Sequence, residues 1–191
     1  EYLFSPLKKL DISPNVDGAV CFVLATEEKA KEFGVEPIFI EGFGWSSETP
    51  WISTREMNAD YAKQSAKMAY KMANIKEPRK QIHIAEVDDR FSYKELQHLE
   101  AIGLAQPGEA GKLLEEGTFS LKGSLPVNTS GGSLGVGNCL EATGLQKSLE
   151  IVTQLRGHAG KRQVADVEIG LAQAWRSIPS GSGATIIFGR K

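Results

Sequence analysis

The sequence predicts an α/β domain with a largely parallel or mixed sheet and helices on its faces. Short apolar runs that are typical of strands alternate along the chain with segments of helical periodicity. Glycine and proline residues separate these segments, and no linker or shift in composition divides the 191 residues. We therefore expect one domain, covering residues 1–191.

Charge and cysteine content disfavour several classes of function. The net charge is −2, so no basic field favours nucleic acid or an anionic membrane as a partner. No apolar run approaches the roughly 20 residues of a membrane span, and we expect no signal peptide. Cys21 and Cys139 are far apart, which disfavours a disulfide framework and a metal site made by this chain. We expect a cytoplasmic protein. The first residue, Glu1, is consistent with processing, trimming or an upstream half of a longer polypeptide.

The first strand is predicted at residues 19–25, where the run AVCFVLA follows a turn at Gly18. A continuous apolar run of this length is typical of a strand buried on both faces. Cys21 lies inside the run, and free cysteine packs as a small hydrophobe, so we expect it in the core. Thr26 is a suitable N-cap for a short helix that ends at Gly34.

Two further strands are predicted at residues 37–45 and 81–87, with a helix over residues 58–74 between them. Gly42 and Gly44 indicate a bulge or a close approach of backbone in the earlier of these strands.

A helix over residues 93–102 follows, for which Ser92 and Glu95 match a capping box. His98 is expected on its exposed face. Asp88 and its neighbours lie between strand and helix, at the carboxyl end of a strand, where the ligand sites of α/β proteins collect.

The most informative stretch is residues 127–144, VNTSGGSLGVGNCLEATG, which is rich in glycine and leads into a helix over residues 145–157. Glycine permits positive φ and close approach of backbone to a ligand, and N–H groups before a helix favour anionic groups. The pattern fits a ligand-binding loop, with an ordinary long turn as an equal alternative. Strands at residues 167–175 and 184–189, joined by a turn over 178–183, complete the chain.

Four segments occur in the order found in the C-terminal half of a thiolase, and the chain resembles the archaeal and sterol-carrier-protein types. They are PNVDGA at residues 14–19, DDRF at 88–91, the glycine-rich stretch at 127–144, and GSGAT at 181–185. The resemblance implies a thiolase-like half with a five-stranded mixed sheet and helices on both faces. It also implies coenzyme A as a substrate, with no covalently bound cofactor.

The resemblance further implies that the nucleophilic cysteine lies in an N-terminal half, on the same polypeptide or a separate chain, because neither Cys21 nor Cys139 matches its position. A homo- or hetero-oligomer is expected, and such proteins often associate with a zinc-ribbon/OB-fold partner.

The site motifs depart from the family pattern. Asn138 stands where the family has a histidine, and it can donate a hydrogen bond but cannot accept a proton at neutral pH. Asp88 replaces a second histidine, and Arg90 replaces the acid/base cysteine with a permanent cation. The resemblance therefore places catalytic roles, in altered form, at Asn138, Asp88 and Arg90. The expected substrate-binding residues are Ser130, Gly131, Gly132, Gly137 and Cys139.

Two hypotheses follow. The chain is half of an acyl-CoA enzyme that makes or cleaves a carbon–carbon bond in a β-ketoacyl-CoA, where Arg90 would suit a substrate with a carboxylate. Alternatively, it is a non-catalytic thiolase-like scaffold or partner subunit, which the loss of two histidines and a cysteine from the expected positions favours.

Overall fold

The computed structural model describes residues 2–49, 51, 58–177 and 181–190, and within them it contains one four-stranded sheet and a small hairpin. The strands of the sheet are β3 (Phe39–Ser47), β4 (Ile84–Glu86), β5 (Ile169–Trp175) and β6 (Ser182–Gly189). Their order is β3-β6-β5-β4, in which β4 and β5 are parallel and the other two pairs are antiparallel. The hairpin pairs β1 (Tyr2–Phe4) with β2 (Leu7–Lys8).

Seven α-helices lie in the described residues. They are α1 (Glu27–Glu32), α2 (Asp60–Met72), α3 (Pro78–Gln81), α4 (Ser92–Ala101), α5 (Ala110–Glu115), α6 (Gly132–Val136) and α7 (Thr143–Leu155). Short 3₁₀ turns occur at Lys9–Asp11, Leu140–Ala142 and Gly160–Arg162.

Helices cover both faces of the sheet, as the sequence predicts. Adjacent strand residues point to opposite faces, and the core divides accordingly. Ala85, Leu171 and Ile187 pack with α2 and α4 in one apolar cluster. Their chain neighbours Ala172 and Phe188 pack with α7 in the other cluster. The prediction of a mixed α/β sheet is confirmed.

The prediction of a fifth strand is wrong for the residues that the structure describes. Residues 19–25 form no strand, and Val23 and Leu24 are 89% and 76% exposed. Cys21 is exposed, so its placement in the core is also wrong. The run has strand composition, but a buried strand requires neighbours on both edges, and no described segment pairs with it. Val127 makes only an isolated parallel bridge to Ala85.

The other strands lie where the apolar runs predict them, and helix ends deviate by a few residues. Thr26 caps α1 as predicted, since its Oγ1 accepts a hydrogen bond from the Lys29 N–H at 3.3 Å. The capping box predicted for α4 is wrong, because Ser92 is already helical and Phe91 occupies the N-cap position. Residues 50 and 52–57, between β3 and α2, and residues 178–180 of the predicted turn lie outside the described residues.

The glycines of β3 bring the strand against α2, as their spacing predicts. The pairing of β3 with β6 shifts register between Ile40 and Gly42, which marks a bulge. A Cβ at Gly44 would overlap the Ser65 carbonyl oxygen, and one at Gly42 would overlap that of Ala69. These positions therefore exclude any side chain larger than hydrogen.

We expect Gly44→Ala to lower the free energy of unfolding by about 1–3 kcal/mol, because the new methyl group must push α2 away from the sheet. Gly111→Ala is the matched control, since a Cβ there meets no atom within 4 Å and its backbone is helical. The control should be neutral or stabilising by up to about 1 kcal/mol. Urea unfolding followed by circular dichroism measures both; equal stability of the two variants would contradict the close packing.

Candidate functional site

The glycine-rich loop is built around a carboxylate of the chain itself, that of Asp89. Asp89 Oδ1 accepts a hydrogen bond from the Ser133 N–H at 2.7 Å, and Oδ2 accepts one from the Leu134 N–H at 3.2 Å. Lys147, on α7, completes the arrangement with its Nζ 3.0 Å from Asp89 Oδ1. Both charged side chains are 3% exposed. The carboxylate thus joins the segment after β4, the loop and α7.

This arrangement explains why the loop contains glycine at two of its positions. Gly132 has φ of 59°, and a Cβ there would overlap the Asp89 carboxylate. Gly137 has φ of 100°, and a Cβ there would overlap Val16 of the N-terminal segment that crosses the loop. Packing against protein atoms therefore accounts for both glycines.

Three further backbone N–H groups of the loop also donate to protein acceptors. Ser130 N–H and Oγ–H donate to the two oxygens of Glu86, at 3.0 and 2.6 Å. Gly132 N–H donates to Ser130 Oγ, and Gly131 N–H donates to the Asn128 carbonyl oxygen. The ligand-binding roles of Ser130, Gly131, Gly132 and Gly137 stay predictions.

Two acidic side chains near the Asp89–Lys147 pair, Glu86 and Glu95, have pKa values that burial raises. Burial raises the pKa of Glu86, although the Lys147 charge and the Ser130 hydrogen bonds oppose the shift. Burial, assisted by the negative charge of Asp89, raises the pKa of Glu95 to about 7. Glu95 Oε1 accepts a hydrogen bond from Asn128 Nδ2 at 2.9 Å. The positive charge of Lys147 opposes both shifts, but it does not prevent Glu95 from titrating near neutral pH.

Asn138 is buried, and protein groups hold both ends of its side chain. Its Nδ2 donates to Asn15 Oδ1 at 3.1 Å. Its Oδ1 accepts from the Leu140 N–H at 3.1 Å and from Thr143 Oγ1 at 2.9 Å. The backbone of Asn138 also bonds the crossing segment, through Pro14 and Val16. This fixes the amide orientation and leaves one of its two N–H groups without a described partner. The neighbouring Cys139 is half-buried.

Asp88 and Arg90, predicted as site residues, contact each other and Trp175. Arg90 Nη2 lies 3.4 Å from Asp88 Oδ2 and donates to the Trp175 carbonyl oxygen at 2.8 Å. The guanidinium also lies over the Trp175 ring, 5.5 Å from its centre. Asp88 is fully buried, and its Oδ1 and Oδ2 accept from the Arg90 and Trp175 N–H groups at 3.1 and 3.4 Å. The aspartate thereby neutralises the cation and fixes the end of β5.

The surface position predicted for His98 is wrong, because the side chain is fully buried beneath this cluster. Its Nε2 lies 2.8 Å from the Tyr61 hydroxyl and its Nδ1 2.7 Å from the Asp88 carbonyl oxygen. Burial lowers the pKa of His98 to about 4, which outweighs the opposing effect of Asp88. Its neutral ring is fixed by these contacts, and Tyr61 stacks on Trp175 at 6.1 Å.

A cavity of about 640 Å³ opens beside this cluster, at the N-terminus of α7. Its polar wall includes Arg90, Gln173 and Trp175, and its apolar wall includes Leu145 and Ile186. The volume lies within the range of small-molecule sites. Among the predicted site residues, only Arg90 is in the wall of the cavity. The others do not line it: Asp88, Ser130, Gly131, Gly132, Gly137, Asn138 and Cys139.

Sequence reasoning missed Lys147, Glu86 and Gln173. A signal existed for Lys147, because it lies one helical turn before the buried Ile151 and therefore on the inner face of α7. No described group of three or more histidine, cysteine, aspartate or glutamate side chains could hold a metal ion. No helix in the described ranges combines the length and the apolar character that a membrane crossing requires.

Comparison with known proteins agrees with the fold and with the order of the motifs. The family profile described as thiolase C-terminal domain-like matches residues 44–190. An acetyl-CoA acetyltransferase of Methanothermobacter thermautotrophicus is 36% identical over 187 residues, which cover 97% of this chain and 48% of that protein. Sterol carrier protein 2 of Oryctolagus cuniculus is 34% identical over 176 residues, covering 88% and 32%.

The solved structure of an Ltp2-ChsH2(DUF35) aldolase has a TM-score of 0.80 and covers 100% of this chain and 49% of that chain, at 23% identity. At that identity the likeness shows the fold alone.

Together, the sheet, the ordered motifs and these matches define a thiolase-type α/β domain. The chain belongs to the thiolase superfamily and corresponds to its C-terminal half. It spans about half the length, or less, of these relatives.

We expect Lys147→Met to lower the free energy of unfolding by about 3–5 kcal/mol, because it leaves the Asp89 carboxylate buried without its cation. The double variant Lys147→Met/Asp89→Asn should recover part of this loss, since it removes both charges. Lys112→Met is the control, because Lys112 and its partner Glu116 are exposed, and it should change stability by less than about 1 kcal/mol. Urea unfolding measures all three, and a Lys147→Met loss no larger than the control would contradict the role of the pair.

Glu95 should make stability depend on pH. The folded state holds the proton up to about pH 7, whereas the unfolded state releases it near the ordinary value of 4.5. Stability from Glu95 is therefore fully present below about pH 4.5 and is lost as pH rises through about 7. Glu95→Gln retains the acceptor for Asn128 and does not titrate. The difference in unfolding free energy between wild type and variant, measured from pH 4.5 to 8, should change in this window; a constant difference would contradict the shift.

Proposed function

We propose that this chain is the C-terminal half of a thiolase-like acyl-CoA enzyme that makes or cleaves a carbon–carbon bond in a β-ketoacyl-CoA. The cavity at the N-terminus of α7 carries this proposal, because it combines an apolar wall with Arg90 at one side. Coenzyme A would enter as a substrate, and the nucleophilic cysteine would come from the N-terminal half, on the same polypeptide or a separate chain.

Asn138 would contribute a hydrogen bond to a developing oxyanion through its remaining N–H group. It cannot act as a general base, and the buried His98 is fixed by its own partners. Arg90 and Asp88 would shape the acyl side of the site, with Ser130, Gly131, Gly132, Gly137 and Cys139 as the supporting loop. The proton transfers would then rely on groups of the other half.

Exposed apolar side chains support pairing with a further chain or half. Leu145 and Leu149 lie on one face of α7, and both are 44% exposed. Trp45 on β3, Val23 and Leu24 are also exposed. Patches of this kind mark interaction sites. A homo- or hetero-oligomer in the cytoplasm, with a zinc-ribbon/OB-fold partner, is compatible with them, and the solved aldolase is named for two components, Ltp2 and ChsH2(DUF35).

A non-catalytic scaffold is the second candidate, and a specific observation favours it. Asp88 is fully buried and neutralised by Arg90, and the Asn138 amide is held by three protein groups. Such side chains stabilise the fold without any need for turnover. In this role the chain would keep the surfaces for its partners and hold an acyl-CoA-binding complex together.

The two candidates separate in one assay. The chain is assembled with its N-terminal half, and we follow CoA-dependent cleavage of two substrates. One is acetoacetyl-CoA, and the other is a β-ketoacyl-CoA that carries a terminal carboxylate. Turnover that requires both halves supports the enzyme. A stable assembly that lacks turnover with both substrates, while a related complete thiolase is active in parallel, supports the scaffold.

If the chain is an enzyme half, Asn138→Asp should lower turnover at least about tenfold, because it replaces the donating amide with an oxygen. The variant keeps Oδ1 as acceptor for the Leu140 N–H and Thr143 but loses the hydrogen bond to Asn15, so urea unfolding of the variant must first show that the fold is retained. Asn58→Asp, away from the site loop, is a control for the charge change. Steady-state rates on the assembled protein test the prediction, and unchanged turnover would remove Asn138 from the mechanism.

A further inference from the structure

Residues 19–25 combine apolar side chains with backbone groups that no described residue bonds. Val23 and Leu24 are largely exposed, and so is Cys21. No backbone hydrogen bond links this segment to the rest of the described chain. Residues 16–26 contain no helix, turn or bend, so the segment runs straight. It has the composition and the course of a β-strand but lacks the neighbouring strand that would bond its N–H and carbonyl groups.

The segment lies on the face of the sheet that α7 covers. Phe22 packs against the apolar cluster that includes Ile151 and Leu155 of α7. Gly18, just before the segment, lies close to Cys139, because a Cβ there would be 2.7 Å from the Cys139 Sγ. A segment on this face is out of line with the strands of the sheet beneath it, whose ladder hydrogen bonds lie within the sheet. A strand that bonds the segment must therefore belong to another sheet.

Helix α7 carries apolar side chains on two faces. Ile151 is buried in the cluster with the sheet, whereas Leu145 and Leu149, one turn apart, are both 44% exposed. At about 100° per residue, Leu149 points about 160° away from Ile151 and so away from the sheet. A helix that is apolar on both of these faces typically lies between two layers of a protein. A second sheet on this side would cover Leu149 and could also bond the segment.

The sequence matches separate the segment from the C-terminal domain. The family profile matches residues 44–190 and therefore begins after both the segment and α1. The alignment with the Methanothermobacter protein nevertheless covers 97% of this chain, which is too much to leave the segment out, and only 48% of that protein. The segment is thus shared with a longer protein but lies outside the profile of the C-terminal domain. This favours a place for it in the half that comes before.

We propose that residues 19–25 form a strand in the sheet of the N-terminal half, and that this half packs against Leu145 and Leu149. Helix α7 then lies between two sheets, one from each half. The partner is an α/β unit with an open sheet edge, and the boundary between the halves falls between the segment and β3. The inference rests on the proposed function only for the presence of an N-terminal half, and it does not depend on catalysis.

Amide hydrogen exchange tests the strand directly. It is measured by mass spectrometry on the full chain, alone and assembled with its N-terminal half. The amides of residues 19–25 should exchange at least about tenfold more slowly in the assembly, because they gain strand hydrogen bonds. Peptides covering α5 are the internal control, since this helix packs with the cluster on the other face of the sheet, and they should exchange equally in both samples.

Proline substitution separates strand pairing from contact by side chains. Adjacent residues of a strand direct their N–H groups to opposite sides, so at least one of Val23→Pro and Leu24→Pro removes a bond to the partner strand. That variant should weaken assembly at least about tenfold. Val23→Ile and Leu24→Ile keep the N–H and an apolar side chain suited to strands, and they should assemble within about threefold of wild type. Alone, all four variants should unfold at the urea concentration of the wild-type chain, because no described residue bonds this backbone.

The surface of α7 is tested with Leu149→Gln, which should weaken assembly about tenfold because it places a polar group where the N-terminal half packs. Leu114→Gln on α5 is the matched control, since Leu114 is a helical leucine with 46% exposure on the other side of the sheet. Its affinity should equal that of wild type. Analytical ultracentrifugation of the separately produced halves measures the affinity of every variant.

The proposal is overturned if the N-terminal half does not bind, if residues 19–25 exchange equally in the free and assembled chain, or if both proline variants assemble like wild type. Protection that rises with the concentration of the chain alone would also overturn it, because the partner would then be a second copy. Neither exchange nor assembly requires coenzyme A or turnover. A protected segment in an inactive assembly would retain the strand and remove only the enzyme hypothesis, whereas turnover with an unprotected segment would do the reverse.

Discussion

The buried ion pair between Asp89 and Lys147 is the interaction on which the site region depends. It joins three parts of the chain that are distant in sequence: the segment after β4, the glycine-rich loop and α7. Two charges at 3% exposure would be strongly unfavourable if they were unpaired. Here the Asp89 carboxylate accepts hydrogen bonds from two backbone N–H groups and from the Lys147 ammonium group. These three charge-assisted hydrogen bonds offset the cost of its desolvation.

That carboxylate also changes the interpretation of the loop. Glycines ahead of a helix suggest a site for an external anion, but the described loop already surrounds an anion of the protein. The absence of a side chain at Gly132 makes room for Asp89, and the absence of one at Gly137 makes room for Val16. The same glycines also fix the course of the backbone that leads to Asn138. Structural and functional explanations of the loop are therefore compatible, because a rigid loop is what a precisely placed amide requires.

The sequence allows much of the fold to be predicted because its strongest signals are local. The period of α2 is visible in residues three and four positions apart, and the helix occurs as expected. The errors arise where the outcome depends on distant partners. Residues 19–25 have the composition of a buried strand but no described neighbour. His98 lies on a helix of mixed polarity, and only the packing of α4 beneath Trp175 determines that its side chain is buried.

In the site, too, the sequence identifies the residues, but their chemistry depends on partners that are distant in the chain. Motif order identifies Asp88 and Arg90, yet their chemistry depends on a residue 85 positions later, Trp175. Because Asp88 lies 3.4 Å from the guanidinium, the Arg90 charge is partly compensated before any ligand arrives. Attraction of an anion by the Arg90 charge alone would then be weak. A permanent cation at a position where the family has an acid/base group is consistent with a site altered towards recognition, with proton transfer left to the other half.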